Sequence, residues 1–213
     1  FADIFPFPEQ SEDQKKAGEE FFQDLRGVFQ ECVDPDQIDE TGEIPDKVFN
    51  ELSKIGAFAI KVSKEYGGRG LSQTNYSKAA MICGEKCGNI SALLSAHQSI
   101  GVPQPLLMYG TKEQKERYLP KFAKGSVSAF ALTEDGVGSD PSKMTTKAEP
   151  SADGSHFVLS GEKLWCTNGL KAEHIVVMAR TPDRNGKKQI TAFIVDMDMP
   201  GVTILNRCRF MGL

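Results

Sequence analysis

Two short segments carry the residues best suited to chemistry: Phe130-Ala131-Leu132-Thr133-Glu134-Asp135-Gly136-Val137-Gly138-Ser139-Asp140 and Leu164-Trp165-Cys166-Thr167-Asn168-Gly169. Each reads as a strand-like run that ends in glycine or small hydroxyl-bearing residues. Ends of that kind offer backbone N–H groups and short side chains to a flat ligand with polar edges. An indole beside a threonine hydroxyl suits a planar heterocycle: the ring covers a face, and hydroxyl and amides meet the heteroatoms. Each segment also has an ordinary reading, Trp165 as a core aromatic and Gly136-Val137-Gly138-Ser139 as a hairpin loop. Their ordered pairing is what points to a binding site.

The remaining reactive residues form no comparable set. Gly67-Gly68-Arg69-Gly70 precedes a helical stretch, but no strand leads into it and neither dinucleotide-binding nor P-loop spacing occurs. A tight turn between helices accounts for it. Cys83 and Cys87 stand one helical turn apart, with no further Cys or His pair at zinc-type spacing, so they read as small buried side chains and no metal site is expected. His97 reads as a hydrogen-bonded helix residue, and His156 and His174 fall at strand starts. Glu134 and Asp140 share one loop, which does not place two carboxylates across a sugar. An aspartate beside glycines commonly closes a turn through backbone amides.

The elements that must position the two segments change period midway along the chain. Up to about residue 125, apolar residues recur at helical spacing: Phe21, Phe22, Leu25, Val28, Phe29 and Cys32, then Val48, Phe49, Leu52 and Ile55, stopped by Gly56. Further helices are expected from Gln73 to Cys87 and from Asn89 to Ile100. Thr111-Lys112-Glu113-Gln114 has the capping-box pattern and opens another, which Leu119-Pro120 brings towards its end. From Ser126 the period is two. Strands are expected at Val127–Leu132, Thr145–Ala148, His156–Ser160, Glu162–Thr167, His174–Ala179, Gln189–Val195 and Val202–Leu205. Turns at Ala152-Asp153-Gly154, Asn168-Gly169, Arg184-Asn185-Gly186 and Met199-Pro200-Gly201 separate them. Helices followed by strands imply an α+β fold, a helical unit over 1–125 and a β unit over 126–213.

Composition narrows the function classes. The 213 residues are 39% hydrophobic and 25% charged, typical of a folded domain, and the net charge of −4 argues against nucleic acid as a bulk electrostatic partner. No apolar run reaches the roughly 20 residues of a membrane span. Five irregularly spaced cysteines suit a reducing interior better than a disulfide scaffold. No signal or transit segment is recognisable at the start.

The ordered pair resembles the acyl-CoA dehydrogenase family of flavoproteins, in which a Leu/Val-Thr-Glu-Pro-x-x-Gly-Ser-Asp segment is followed by Trp-Ile-Thr/Ser-Asn-Gly. The similarity extends through Glu65-Tyr66-Gly67-Gly68, Ala96-His97-Gln98-Ser99-Ile100-Gly101, Gly110 to Lys115, Tyr118-Leu119-Pro120-Lys121 and Ile190 to Val195. Ile4-Phe5-Pro6-Phe7-Pro8 and the Ala96 to Gly101 run are most similar to the very-long-chain branch. The resemblance implies an all-α N-terminal domain and an antiparallel β domain, cut short at Met211-Gly212-Leu213 before a C-terminal helical bundle that holds the glutamate base. No catalytic residue is therefore expected in this chain.

The family's roles carry over to matching positions. Phe130, Ala131, Leu132, Thr133, Gly138 and Ser139 would line FAD, with Leu132 and Thr133 at the pyrimidine side. Trp165 would cover one flavin face, Cys166 and Thr167 would meet the O4–N5 edge, and Ser139 would also bind the acyl-CoA. The implied reaction is α,β-dehydrogenation of long-chain fatty acyl-CoA in β-oxidation, with electron-transfer flavoprotein as acceptor. The full-length protein would be a homo-oligomer in mitochondria, in the matrix or peripherally on the inner membrane. The alternative is a non-catalytic relative that assists assembly of respiratory complex I. Asp135 stands where the family usually has proline, which implies a freer loop and an added negative charge. Cys166 replaces the usual Ile but keeps its backbone amide.

Overall fold

The computed structural model describes residues 9–185 and 187–209. The Ile4-Phe5-Pro6-Phe7-Pro8 motif, Gly186 of the expected hairpin turn and Met211-Gly212-Leu213 lie outside the described residues. Helix α1 (Glu12–Cys32) starts where the Ser11 side chain accepts the Gln14 N–H, and it buries Phe21, Phe22, Leu25, Val28 and Phe29. The short α2 (Pro35–Thr41) was not expected. Its signals are local: Asp34 caps it, Pro35 opens it and Gly42, at φ 67°, ends it. Helix α3 (Asp46–Lys54) stops before Gly56 at φ 73°. Then come α4 (Gln73–Lys86) and α5 (Gly88–Ser95), which runs into a π-helical turn at Ala96–Ile100. Helix α6 (Pro103–Tyr109), also unexpected, precedes α7 (Lys112–Ala123), whose Thr111–Gln114 capping box forms as expected. Pro120 sits inside α7, which continues three residues beyond it.

Strands β1 (Ser128–Ala131), β2 (Lys147–Pro150), β3 (Phe157–Ser160), β4 (His174–Arg184) and β5 (Lys187–Asp196) form one sheet. The order of helices followed by sheet agrees with expectation, but the sheet is mixed rather than wholly antiparallel. Strands β4 and β5 are antiparallel, as are β2 and β3. Strand β1 runs parallel to β4, with Ser128 opposite His174, and β2 is parallel to β4 at Lys147 and Arg180. The reason is that β1 and β2 follow one another along a single edge of β4 and point the same way.

Three strand expectations are corrected. Thr145–Ala148 starts later, at Lys147, because the Thr145 and Thr146 amides are taken by the Glu134 carboxylate. Glu162–Thr167 is no strand: Gly161 at φ 154° and Trp165 at φ 57° break the extended run. Val202–Leu205 pairs with no strand among the described residues.

Alternation along the sheet decides what touches the helices. Val176 is buried in a cluster with Val102, Leu106, Tyr118, Leu119 and Phe122, against which Phe130, Met178 and Ile194 pack. Ala129, Ala131 and Ile175 face the other way with Ala172, joined by Cys166, Val177, Val195 and Met197. The helical core proper holds Phe21, Leu25, Leu52, Phe58 and Ile90. The helical unit and the sheet thus share a core, and the opposite sheet face is left to carry the site.

Candidate functional site

Strand β1 delivers the first segment. Its side chains alternate, so Phe130 lies against the helices while Ala131 faces the far side of the sheet. Beyond Ala131 the chain leaves the ladder, and Glu134 and Val137 exchange backbone hydrogen bonds of 3.1 and 3.0 Å around Asp135 and Gly136. Gly136 takes φ 71°, a conformation that a side chain would strain. Asp135 sits exposed at the tip of this closed turn. Gly138 and Ser139 are exposed, and Asp140 caps the next turn by accepting the Ser142 N–H at 3.1 Å.

The second segment is tied directly to the first. Leu164 N–H donates to Thr133 C=O at 2.8 Å, and Lys163 Nζ donates to Leu132 C=O at 3.0 Å and to Glu134 Oε1 at 2.7 Å. The other carboxylate oxygen of Glu134 accepts the N–H and hydroxyl of Thr145, both at 2.6 Å, and Oε1 also accepts the Thr146 N–H at 3.0 Å. Burial alone would push the Glu134 carboxyl up, but its bonds to Lys163, Thr145 and Thr146 outweigh it and hold the carboxyl far below the usual range. Neither Glu134 nor Lys163 was expected at the site. Nothing in the sequence pairs them, because their meeting depends on two loops converging.

Turn geometry aims the aromatic. Trp165 (φ 57°) and Asn168 (φ 69°) both adopt left-handed backbone, and Gly169 N–H closes on Cys166 C=O at 2.8 Å. Asn168 anchors the turn, its Nδ2 donating to Leu93 C=O at 3.0 Å and Ser128 C=O at 3.2 Å. Trp165 is left 59% exposed, unusual for an indole with a core function. Cys166 is half-buried, and burial pushes its thiol up, partly offset by Lys163. Gly161, which leads into the segment, has no room for a side chain: an added Cβ would lie 2.4 Å from Thr146 Oγ1. Gly161→Ala is expected to cost about 2 kcal/mol of stability, from the clash and the strained φ together, measured as a lower urea midpoint.

A cavity of about 1400 Å³ opens between the sheet face that carries Ala131 and Ile175 and the α2–α3 segment, with Phe49 of α3 and Leu93 of α5 in its wall. Ala131, Trp165, Cys166 and Thr167 line it, together with Leu93, Ile175, Val177 and Val195. Leu132 and Thr133 are joined to its wall through Lys163 and Leu164 but are not in its lining, nor are Phe130, Gly138 and Ser139. The hydroxyls of Thr133, Ser139 and Thr167 have no hydrogen-bond partner among the described residues. An exposed indole beside open hydroxyls, on a turn with fixed backbone, fits a planar group with polar edges. His97 lies elsewhere, fully buried and hydrogen-bonded between Phe58 and Ser128, and Cys83 and Cys87 are buried thiols.

Residues 15–126 match the family model for acyl-CoA dehydrogenase, N-terminal domain, and residues 129–213 that for acyl-CoA dehydrogenase, middle domain. The chain is 46% identical over 211 residues to the probable acyl-CoA dehydrogenase FadE10 of Mycobacterium tuberculosis, covering 99% of this chain and 32% of that protein. It is 39% identical over 207 residues to the mouse very long-chain specific acyl-CoA dehydrogenase, a mitochondrial protein, covering 94% and 31%. The fold is similar to the acyl-CoA dehydrogenase of Bacillus anthracis complexed with FAD, at TM-score 0.73 and 30% identity, over 94% of this chain and 34% of that one. The chain therefore spans about a third of the length of the curated relatives it matches.

Proposed function

Because this chain belongs to the acyl-CoA dehydrogenase family, we propose that it supplies the cofactor-binding face of an FAD-dependent dehydrogenase of long-chain fatty acyl-CoA. The observation that carries this reading is the Leu164 N–H to Thr133 C=O bond, which holds the hydroxyl-rich loop beside the exposed Trp165. We assign residues 1–125 to the helical domain and 126–213 to the β domain. Trp165 covers one face of the cofactor, and Thr133, Cys166 and Thr167 orient its polar edge through hydroxyls and amides. Phe130, Ala131, Leu132 and Gly138 are assigned to the cofactor by their positions in the family motif; of these Ala131 lines the cavity, and the Phe130 ring is turned to the helices. Ser139, exposed at the loop's end, meets the cofactor and the phosphopantetheine of the substrate. The chemistry that FAD supplies when bound is acceptance of a hydride from the acyl β-carbon. Preorganised donors around an electron-rich ring favour its reduced form, more so where water is excluded.

No residue of this chain is assigned as the base. Electron-transfer flavoprotein is the proposed acceptor, and a homo-oligomer the proposed assembly. A mitochondrial setting, in the matrix or at the inner-membrane surface, rests on the mammalian relatives, whereas the mycobacterial relative is bacterial. Among the described residues no helix is long and apolar enough to cross a membrane. Nothing in the comparisons favours the assembly-factor alternative. Purified full-length protein is expected to show oxidised flavin bands that bleach when palmitoyl-CoA is added without oxygen. A colourless protein that takes up no added FAD would overturn the reading.

A further inference from the structure

We propose, building on the functional reading above, that Lys163 is a positioning residue that polarises the Leu132–Thr133 peptide toward the cofactor, with Glu134 holding its ammonium in place. The geometry is specific. Lys163 Nζ lies 3.0 Å from Leu132 C=O and 2.7 Å from Glu134 Oε1, and its side chain is only 9% exposed. In a trans peptide the N–H points opposite to the C=O. The N–H of Thr133 therefore points away from the ammonium, and it donates to no acceptor among the described residues. A carbonyl that accepts a charged hydrogen bond makes the N–H of the same peptide a stronger donor. Thr133 also gives its own carbonyl to Leu164 N–H, so the polarised donor is locked beside the turn that carries Trp165. Glu134 is fixed in turn by Thr145 and Thr146, which leaves Lys163 little freedom to move off the peptide.

Such a donor stabilises negative charge that develops on a ring as it is reduced. Removing the ammonium then weakens binding of reduced FAD more than binding of oxidised FAD. Removing the Glu134 charge leaves the ammonium less compensated and acts in the opposite direction. A purely structural pair would weaken both redox forms alike in both variants.

The test uses full-length protein. Lys163→Met is expected to lower the preference for reduced over oxidised FAD about tenfold, read as a midpoint potential about 30 mV more negative for a two-electron couple. Lys163→Arg is expected to restore most of the shift, and Glu134→Gln to move the potential the other way. Should Lys163→Met not fold, Lys163→Gln carries the same expectation. A second readout needs no cofactor: in the apoprotein, the amide nitrogen resonance of Thr133 is expected to move in Lys163→Met and to return in Lys163→Arg. A wild-type protein that binds no FAD overturns the functional reading and this proposal with it. A wild-type protein that binds FAD, with neither potential nor Thr133 resonance changed by Lys163→Met, overturns this proposal alone.

Discussion

His97→Leu is expected to destabilise the protein by about 3 kcal/mol, the sum of two orphaned backbone groups in a fully buried position. His97 Nε2 lies 2.7 Å from Phe58 C=O, and Nδ1 accepts the Ser128 N–H at 3.0 Å while Ser128 Oγ stands 2.8 Å away. Ser128 Oγ in turn accepts the Val102 N–H at 3.1 Å. One imidazole thus joins the π-helical turn to the turn at Ala57–Ala59, to β1 and, through Ser128, to the start of α6. Leucine fills the volume but leaves Phe58 C=O and Ser128 N–H without partners, and it loses the edge contacts with Phe58 and Phe122 at 5.5 and 5.4 Å. The ring must be neutral, because Nδ1 acts as an acceptor. Burial depresses its pKa from 6.5 to about 4, against a smaller opposing effect of the Phe58 carbonyl. Between those values the unfolded chain binds the extra proton. Stability is therefore complete above pH 6.5 and declines as the pH falls towards 4, by about 3 kcal/mol in all. Urea midpoints across that window are expected to slope in the wild type and to flatten in His97→Leu. A variant with an unchanged slope would show that His97 is not the titrating group. Glu134 acts lower: its contribution is present above the ordinary carboxylate range and is lost only as the pH falls below about 4.5.

Trp165→Ala is expected to weaken FAD binding by the full-length protein on the order of tenfold, since stacking of a planar heterocycle on an aromatic ring is worth roughly 1–3 kcal/mol. Stability should change little, because Trp165 is already 59% exposed. Fluorescence titration of the apoprotein with FAD measures the first and urea unfolding the second. Undiminished FAD affinity in the variant would remove Trp165 from the site.

Much of the architecture can be read from local pattern. The stripe in α1, the Thr111 capping box and the turns at Gly56 and Gly154 are written in neighbouring residues. The short helices α2 and α6 escape a search for periodicity because seven residues give fewer than two repeats; only Asp34, Pro35 and Pro103 mark their starts. Strand partners are not local at all. Nothing near Thr145 says that its amide is occupied by Glu134, so the residue pattern alone starts β2 two residues early. The Trp165 segment reads as a strand by composition, yet its left-handed residues make it a turn. The same limit hides Lys163 and Glu134, whose roles exist only after the loops meet. Trp165 and the hydroxyl residues could be singled out because they break the surrounding pattern: an indole next to small polar residues has little use in a core.

The parallel pairing of β1 with β4 sets an order of events during synthesis. When Ser128 to Ala131 leave the ribosome, the strand they will join does not yet exist, and the β2–β3 hairpin must come first. Until β4 arrives, the nascent β1 can rest only on the finished helices, through Phe130 against their apolar cluster and Ser128 against His97. Long-range closure of this kind is slow compared with helix formation. Among the described residues the N-terminal helices are thus the one surface earlier in the chain that β1 touches, and a lesion at their junction with β1, such as His97→Leu, is expected to slow refolding as well as to lower stability.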